Sequence, residues 1–283
     1  MAGTPRAEVE SQVEEHDDVT SSPFVDPPRP IFGAGDAGTS GARHAGMDPD
    51  GSLEGRLAVV TGATGLLGAT VAAELVRRGA RVCLIGRSLA DLRSTARSCG
   101  GATAVLRCDL ANAEDVGDAA DFVERIGAPV DLLVHAAGVR SSATVLDGDV
   151  ESLDEHYLLN VRGPYLLTQR LLPSLSAASG QVVFFASTSR PDLLVDLRGG
   201  DAHHAISTAA LVAFADQLRV EVTPSGVRVL TVDAEVELPS GEDGDTVLES
   251  LAAQVIDALA TPRLDVTAFS VRSTAHPSRS ARR

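Results

Sequence analysis

Short apolar runs alternate with longer segments of helical periodicity from residue 57 to residue 271 of the chain. The runs are bounded by Gly or polar residues, a pattern typical of strands buried on both faces of a parallel sheet. This alternation predicts an α/β fold, a Rossmann-type doubly wound parallel sheet of about seven strands and about six helices in a single domain. Ligands of such sheets bind beyond the carboxyl ends of the strands. The predicted strands are LAVVT, RVCLIG, TAVLRC, VDLLVHAAG, QVVFFAS, VRVLTV and LDVTAFSV.

The two ends of the chain differ from this pattern. Residues 1–52 hold ten acidic residues against three arginines, with stretches rich in Pro and Gly. Such a segment buries too little apolar surface to offset its ordering entropy, so we expect a disordered acidic tail. Residues 53–273 form the predicted domain, and residues 274–283 a flexible basic C-terminus.

The overall charge narrows the classes of partner. A formal net charge of -15 argues against nucleic acid and against anionic membrane surfaces, because both require a basic footprint. The three cysteines have no metal-like spacing, so we expect reduced thiols, no metal site and a cytoplasmic protein. No N-terminal signal peptide is evident.

A glycine-rich motif follows the first predicted strand and opens the first predicted helix. Glycines there permit a tight turn and let the backbone approach a pyrophosphate, while the helix N-terminus supplies unpaired N–H groups. The motif therefore predicts a phosphate-binding loop. Its candidate cofactor-binding residues are Thr61, Gly62, Thr64, Gly65, Leu66, Leu67 and Gly68.

Five motifs in order resemble those of the short-chain dehydrogenase/reductase family. TGATGLLG resembles the TGxxGxxG form of its extended and atypical members. The resemblance covers about residues 53–273 and implies an adenine-contacting Asp, a strand end lining the cofactor, a helix Asn and an active-site Ser. The matching residues are Asp109 with Leu110, the stretch His135, Ala136, Ala137 and Gly138, then Asn160, and Ser187.

The second predicted strand ends at Gly86-Arg87. An acidic residue at this place would bind a ribose 2′-hydroxyl and select NAD. An arginine can instead pair with a 2′-phosphate. We therefore expect the cofactor to be NADP.

The residues expected for chemistry depart from the family. Its members use a Tyr-x-x-x-Lys pair, yet this chain contains no lysine, and its two tyrosines, Tyr157 and Tyr165, lie elsewhere. Alignment on the helix after the fifth strand places His204 at the Tyr position and Thr208 at the Lys position. A histidine can act as a general acid, although His204 could also merely flank the helix. The candidate catalytic residues are Ser187, Asn160 and His204.

Three functions remain open from the sequence. The first is an NADP-dependent ketoreductase with a non-standard active site, acting on a carbonyl of a small, hydrophobic or polyketide-like substrate. The second is an inactive relative that binds NADP as a sensing or structural ligand, or as a non-catalytic subunit. The third is a non-redox cyclase or dehydratase. The resemblance also implies a homodimer or homotetramer.

Overall fold

The strands form where β-branched and other apolar residues run together, so that each strand is buried on both faces of a sheet. The computed structural model describes residues 52–100, 103–186, 202–233, 242–260 and 268–270. Within these ranges the strands are β1 (Leu57–Thr61), β2 (Arg81–Gly86), β3 (Thr103–Arg107), β4 (Leu132–His135), β5 (Gln181–Phe185), β6 (Arg228–Asp233) and β7 (Ala268–Ser270).

All strand pairs are parallel, in the order β3-β2-β1-β4-β5-β6-β7. The chain therefore builds the sheet outwards from β1 in one direction and then continues from β4 in the other. This reversal makes a topological switch point between β1 and β4, where Thr61 is in register with His135. The predicted doubly wound α/β fold is confirmed.

Helices cover both faces of the sheet. The helices in the described ranges are α1 (Leu66–Arg77), α2 (Leu89–Cys99), α3 (Ala113–Arg125), α4 (Val150–Tyr157), α5 (Gly163–Ala178), α6 (Ala202–Val222) and α7 (Glu242–Ala260). One apolar cluster packs α3, α5 and α6 against the sheet, and a second packs α1, α2 and α7 against the opposite face.

A π-helical turn interrupts a long helical segment of the chain. The segment from Glu151 to Leu175 reads as a single long helix, but α4 and α5 are joined by a π-helical turn over Leu158–Arg162. A π-turn inserts one extra residue into a helix and is frequent at functional sites. Asn160 lies in the middle of this turn and is buried.

The predicted tails fall outside the described ranges. Neither tail can be compared with the structure: the acidic segment 1–52 is outside the described residues except for Ser52, and the basic segment 274–283 is outside them entirely. Among the described residues, no helix is long and apolar enough to cross a membrane.

Candidate active site

The loops that follow β1 and β4 meet at the switch point. Gly62 adopts a left-handed φ of +64°, and a Cβ added to it would lie 2.5 Å from the backbone nitrogen of Ala137. The hydroxyl of Thr61 donates to the carbonyl of Val134 at 3.3 Å, and the amide of Ala137 donates back to Thr61 Oγ1 at 3.4 Å. The two loops are therefore in contact, and only glycine fits at position 62.

The N-terminus of α1 is open. Gly65 occupies its N-cap and gives no side-chain hydrogen bond to the helix. A Cβ on Gly68 would collide with the carbonyl of Gly62, so the glycine turn and the first helical turn pack backbone to backbone. Leu66 keeps 55% of its surface exposed beside this turn. The arrangement presents first-turn N–H groups and a glycine cradle, which fit the pyrophosphate of a dinucleotide.

The residues expected around the adenosine half lie at the ends of β2 and β3. Arg87 follows β2 and is exposed. The amide of Cys108 donates to the carbonyl of Gly86 at 2.9 Å, which joins the two strand ends. Asp109 Oδ1 accepts from the amide of Ala111 at 3.0 Å, and Leu110 is buried. An exposed cation after β2 and a partly engaged carboxylate after β3 thus lie at the carboxyl ends of two neighbouring strands.

The His135 side chain lies in the core. Its Nε2 is 2.8 Å from Thr168 Oγ1, and its ring stacks on Phe184 with centroids 4.9 Å apart. The Nδ1 atom is buried and has no hydrogen-bond partner. Burial lowers the pKa of His135 to about 3, so the ring is neutral. Of the predicted stretch 135–138, the backbone at Ala137 borders the glycine loop, whereas the imidazole does not.

Asn160 is held entirely by the protein. Its Oδ1 accepts from the amide of Val139 at 2.9 Å, and its Nδ2 donates to the Val139 carbonyl at 3.1 Å. The same Nδ2 donates to Ser207 Oγ at 3.0 Å. Because these three bonds use both N–H groups and the oxygen, Asn160 fixes the strand β4 exit and α6 relative to each other.

His204 stands in the first turn of α6, close to the same peptide. Its Nδ1 is 3.3 Å from the Val139 carbonyl, and its Nε2 is 3.5 Å from Thr208 Oγ1, one helical turn on. Ser207 Oγ donates to the His204 carbonyl at 3.0 Å. The structure therefore brings together two predicted catalytic residues, Asn160 and His204, through Val139 and Ser207.

Ser207 was missed by sequence reasoning. The residue is buried and bonds to both Asn160 and the backbone of His204. Its only sequence signal is the spacing of three from His204, which places both residues on one helix face. The third predicted catalytic residue, Ser187, lies outside the described residues.

His203 has a packing role. It is buried, its Nδ1 is 3.2 Å from Ser152 Oγ, and its ring meets His156 edge to face at 5.7 Å. A Cβ on Gly148 would lie 2.5 Å from His203 Nε2, so the loop after β4 packs directly on this ring. Within the part of the chain that the structure describes, no group of three or more histidine, cysteine or acidic side chains could hold a metal ion.

Comparison with known proteins agrees with this geometry. A family model, short chain dehydrogenase, matches residues 56–236. D-threitol dehydrogenase of Mycolicibacterium smegmatis is 30% identical over 203 residues, which cover 70% of this chain and 76% of the relative. The chain belongs to the short-chain dehydrogenase/reductase family, whose relatives include oxidoreductases.

Solved structures show the same fold. A metagenomic short-chain oxidoreductase in complex with NADP aligns with a TM-score of 0.67 and 25% identity, covering 78% of this chain and 98% of that one. L-Sorbose reductase from Gluconobacter frateurii, complexed with NADPH and L-sorbose, aligns with a TM-score of 0.69 at 21% identity, covering 79% and 97%. The second likeness concerns the fold alone.

Proposed function

We propose that the protein is an NADP-dependent reductase in which His204 gives a proton to the carbonyl oxygen of a small ketone. The observation that carries this proposal is the fixed position of His204 at the carboxyl edge of the sheet, bonded through Val139 to Asn160. An ionisable ring bonded to the loop after β4 supports this role, because ligands of such sheets bind beyond the carboxyl ends of the strands.

The hydrogen bonds of His204 assign a role to each ring nitrogen. A carbonyl oxygen can only accept, so Nδ1 carries a hydrogen towards Val139. The proton that exchanges with substrate is then the one on Nε2, next to the Thr208 hydroxyl. An imidazolium is a stronger acid than a phenol, so a histidine donor does not require the neighbouring lysine that a tyrosine donor uses.

The cofactor of this proposal is NADP. The glycine cradle and the open N-terminus of α1 fit its pyrophosphate, and the exposed Arg87 suits its 2′-phosphate. The metagenomic relative in complex with NADP supports the same choice. When bound, the reduced cofactor supplies the hydride that adds to the carbonyl carbon.

The remaining candidates divide the other tasks. Ser187, two residues after β5 in the sequence, is proposed to orient the carbonyl oxygen. Asn160 is a positioning residue rather than a substrate contact, because its carboxamide bonds are used by Val139 and Ser207. After transfer, a neutral His204 regains its proton from solvent through Nε2, since it is only partly buried.

A second candidate function is an NADP-binding protein without turnover. It is favoured by the contrast between a well-formed glycine cradle and a chain with no lysine to hold the nicotinamide ribose. A non-redox cyclase or dehydratase has no such observation in its favour. Both retained functions require NADP, and they differ in whether the protein transfers hydride to a substrate.

Assembly and location belong to the same proposal. The exposed Tyr165 on α5 packs on Phe214 of α6 at 5.1 Å, and this face suits a homodimer or homotetramer. Three free cysteines suit a reducing cytoplasm, and burial raises the pKa of Cys83 to about 12.

The test is an NADPH titration followed by nicotinamide fluorescence, and then a screen of small ketones and β-keto thioesters for oxidation of NADPH. The chain contains no Trp, so direct excitation of the nicotinamide has a low background. The proposal predicts a blue-shifted, enhanced signal and turnover of at least one ketone. Tight binding without any turnover would favour the second function, and no binding would overturn both.

A further inference from the structure

Two exposed arginines lie at the carboxyl ends of neighbouring strands. Arg107 is the last residue of β3 and is in register with Gly86, the last residue of β2. Arg87 follows Gly86 directly, and both arginines are exposed. Adjacent strands lie about 4.8 Å apart, so these two long cationic side chains start from almost the same place on the surface.

The side chain of Arg107 lies on the face of the sheet that carries the glycine loop. Residues in register on parallel strands place their side chains on the same face. A Cβ added to Gly86 would lie 3.6 Å from Thr64 Cγ2 and 3.4 Å from Leu92 Cδ2. Arg107 therefore shares its face with Thr64 of the glycine loop and Leu92 of α2, and the missing side chain of Gly86 leaves space beside it.

The electrostatics at this place favour an anion. The positive end of the α2 dipole lies here, because α2 begins two residues after Arg87. The salt bridges of the described residues use other arginines, and neither Arg87 nor Arg107 takes part in one. Of the nearby carboxylates, Asp109 accepts a backbone amide and Asp91 is exposed in the first turn of α2. A bound anion would offset the repulsion between the two guanidinium groups.

We propose that Arg107 is a second ligand of the 2′-phosphate of NADP and acts together with Arg87. In doubly wound sheets the adenosine ribose of a dinucleotide lies at the end of the second strand, which places its 2′-substituent beside Gly86. A phosphate monoester carries nearly two negative charges at neutral pH, so two guanidinium groups match its charge and its oxygens. The sequence indicated only Arg87 for this task, and the inference rests on the proposed choice of NADP.

The test compares the dissociation constants of NADPH and NADH, which differ only in the 2′-phosphate, by calorimetry on the full chain. Arg107→Met removes the cation and keeps an apolar stem of similar shape. NADPH affinity should fall about 10-fold, because a charged hydrogen bond is lost, while NADH affinity stays unchanged. Arg107→Lys retains a cation without the planar fork and should give an intermediate loss. The double variant with Arg87→Met should bind NADPH no more tightly than NADH.

The matched control is Arg97→Met, an exposed arginine in the last turn of α2. It lies eight residues, or about 12 Å along the helix axis, from the start of α2. Both affinities should remain as in the parent. Equal effects of Arg107→Met and Arg97→Met, or equal losses of NADPH and NADH affinity in Arg107→Met, would overturn the role of Arg107.

A ³¹P titration of bound NADPH reads the contact directly. A phosphate monoester ordinarily takes up its second proton near pH 6, and neighbouring arginines lower that pKa because they favour the dianion. In the parent, the 2′-phosphate of bound NADPH should titrate at lower pH than in free NADPH. Arg107→Met should move the titration back towards that of free NADPH, and a titration unchanged by this substitution would contradict the proposal.

The outcomes separate this inference from the proposed function. If the parent prefers NADPH and Arg107→Met keeps that preference, only the role of Arg107 is wrong. If the parent binds NADPH no better than NADH, the choice of NADP is wrong and the role of Arg107 with it. A preference that Arg107→Met reduces, in a protein that turns over no ketone, would support Arg107 as a ligand and favour the NADP-binding protein without turnover.

Discussion

The cofactor half and the chemical half of the candidate site are built by different means. The glycine loop, the β4 exit and Arg87 lie at strand ends and use backbone shape and one exposed cation. The chemical half gathers His204, Asn160 and Ser207 from α6 and the π-turn through side-chain hydrogen bonds. The cofactor half depends on glycines that lack a Cβ, whereas the chemical half depends on side chains that donate and accept hydrogen bonds. Substitutions should therefore separate the two halves.

The largest effect on cofactor affinity is expected at the glycine turn. Gly62→Ala forces a Cβ to within 2.5 Å of the Ala137 nitrogen at a φ of +64°, so the loop must move. NADPH affinity should fall at least about 100-fold, equivalent to about 2.7 kcal/mol, as measured by fluorescence titration.

The control for this change is Gly127→Ala. Its φ of +73° is similar, but a Cβ there meets nothing within 4 Å. It should cost about 1 kcal/mol of stability and leave NADPH affinity intact. Equal losses of affinity in both variants would mean that backbone strain, rather than the cradle, explains the result.

The next effect concerns the choice between cofactors. Arg87→Asp replaces the exposed cation after β2 with an anion, which repels a 2′-phosphate. NADPH affinity should fall about 10- to 100-fold, while NADH affinity changes little or rises. The control is Arg97→Asp, which makes the same charge change at an exposed site in the last turn of α2. It should not alter the preference for NADPH over NADH. If Arg87→Asp kept the preference for NADPH over NADH, Arg87 would not be a ligand of the 2′-phosphate.

A smaller effect is expected in the chemical half. Ser207→Ala deprives Asn160 Nδ2 of an acceptor and the His204 carbonyl of a donor. The free energy of unfolding should fall by about 1 kcal/mol, and kcat several-fold, with NADPH affinity unchanged. Ser98→Ala removes a comparable serine-to-carbonyl bond on α2 and should leave kcat unchanged. A loss of NADPH affinity in Ser207→Ala as large as its loss of kcat would show that the cofactor half and the chemical half are not separable.

The last effect concerns the stability of the fold towards acid rather than the candidate site. Because the folded protein holds the pKa of His135 at about 3, well below its ordinary value, the unfolded chain binds a proton that the folded chain does not. Stability contributed by this ring should therefore be lost as pH falls from about 6.5 to about 3, with a slope of up to about 1.4 kcal/mol per pH unit.

Denaturant unfolding across this pH range checks the sign. His135→Gln should reduce the slope of the free energy of unfolding against pH by up to about 1.4 kcal/mol per pH unit, the value for one proton. The glutamine side chain can still form a hydrogen bond to Thr168. Thr168→Val removes the same 2.8 Å hydrogen bond without removing the titrating ring, so its slope should stay as it is. A slope that His135→Gln does not change would exclude His135 as the source.

Sequence reasoning reached the cofactor half more completely than the chemical half. The glycine positions were readable because a left-handed φ and a close backbone approach are local requirements that only Gly meets. The alternation of strands and helices predicted the doubly wound parallel sheet, whereas the order of its strands is known from the structure. The position of the His135 ring in the core was not predictable from the sequence, because it depends on Phe184 and Thr168, which are distant in sequence.

The chemical half was hidden for a related reason. The π-turn around Asn160 has the apolar periodicity of a continuous helix, so the sequence gives no sign that the helix is interrupted. The link from Asn160 to Ser207 joins residues 47 positions apart and depends on how α6 packs against the turn. His204 was identified by its alignment with the Tyr position of the family and by its ability to act as an acid, whereas its bond to Val139 comes from the tertiary fold.

The most direct measurement is a paired determination of NADPH affinity and ketone turnover in His204→Gln, with the exposed Ile206→Gln on the same helix as control. If His204 is the proton donor and the two halves are separable, the variant binds NADPH as the parent does and loses about 10²- to 10⁴-fold in kcat. The control should keep both properties. Undiminished turnover by His204→Gln would contradict the account, because the proton would then come from another group.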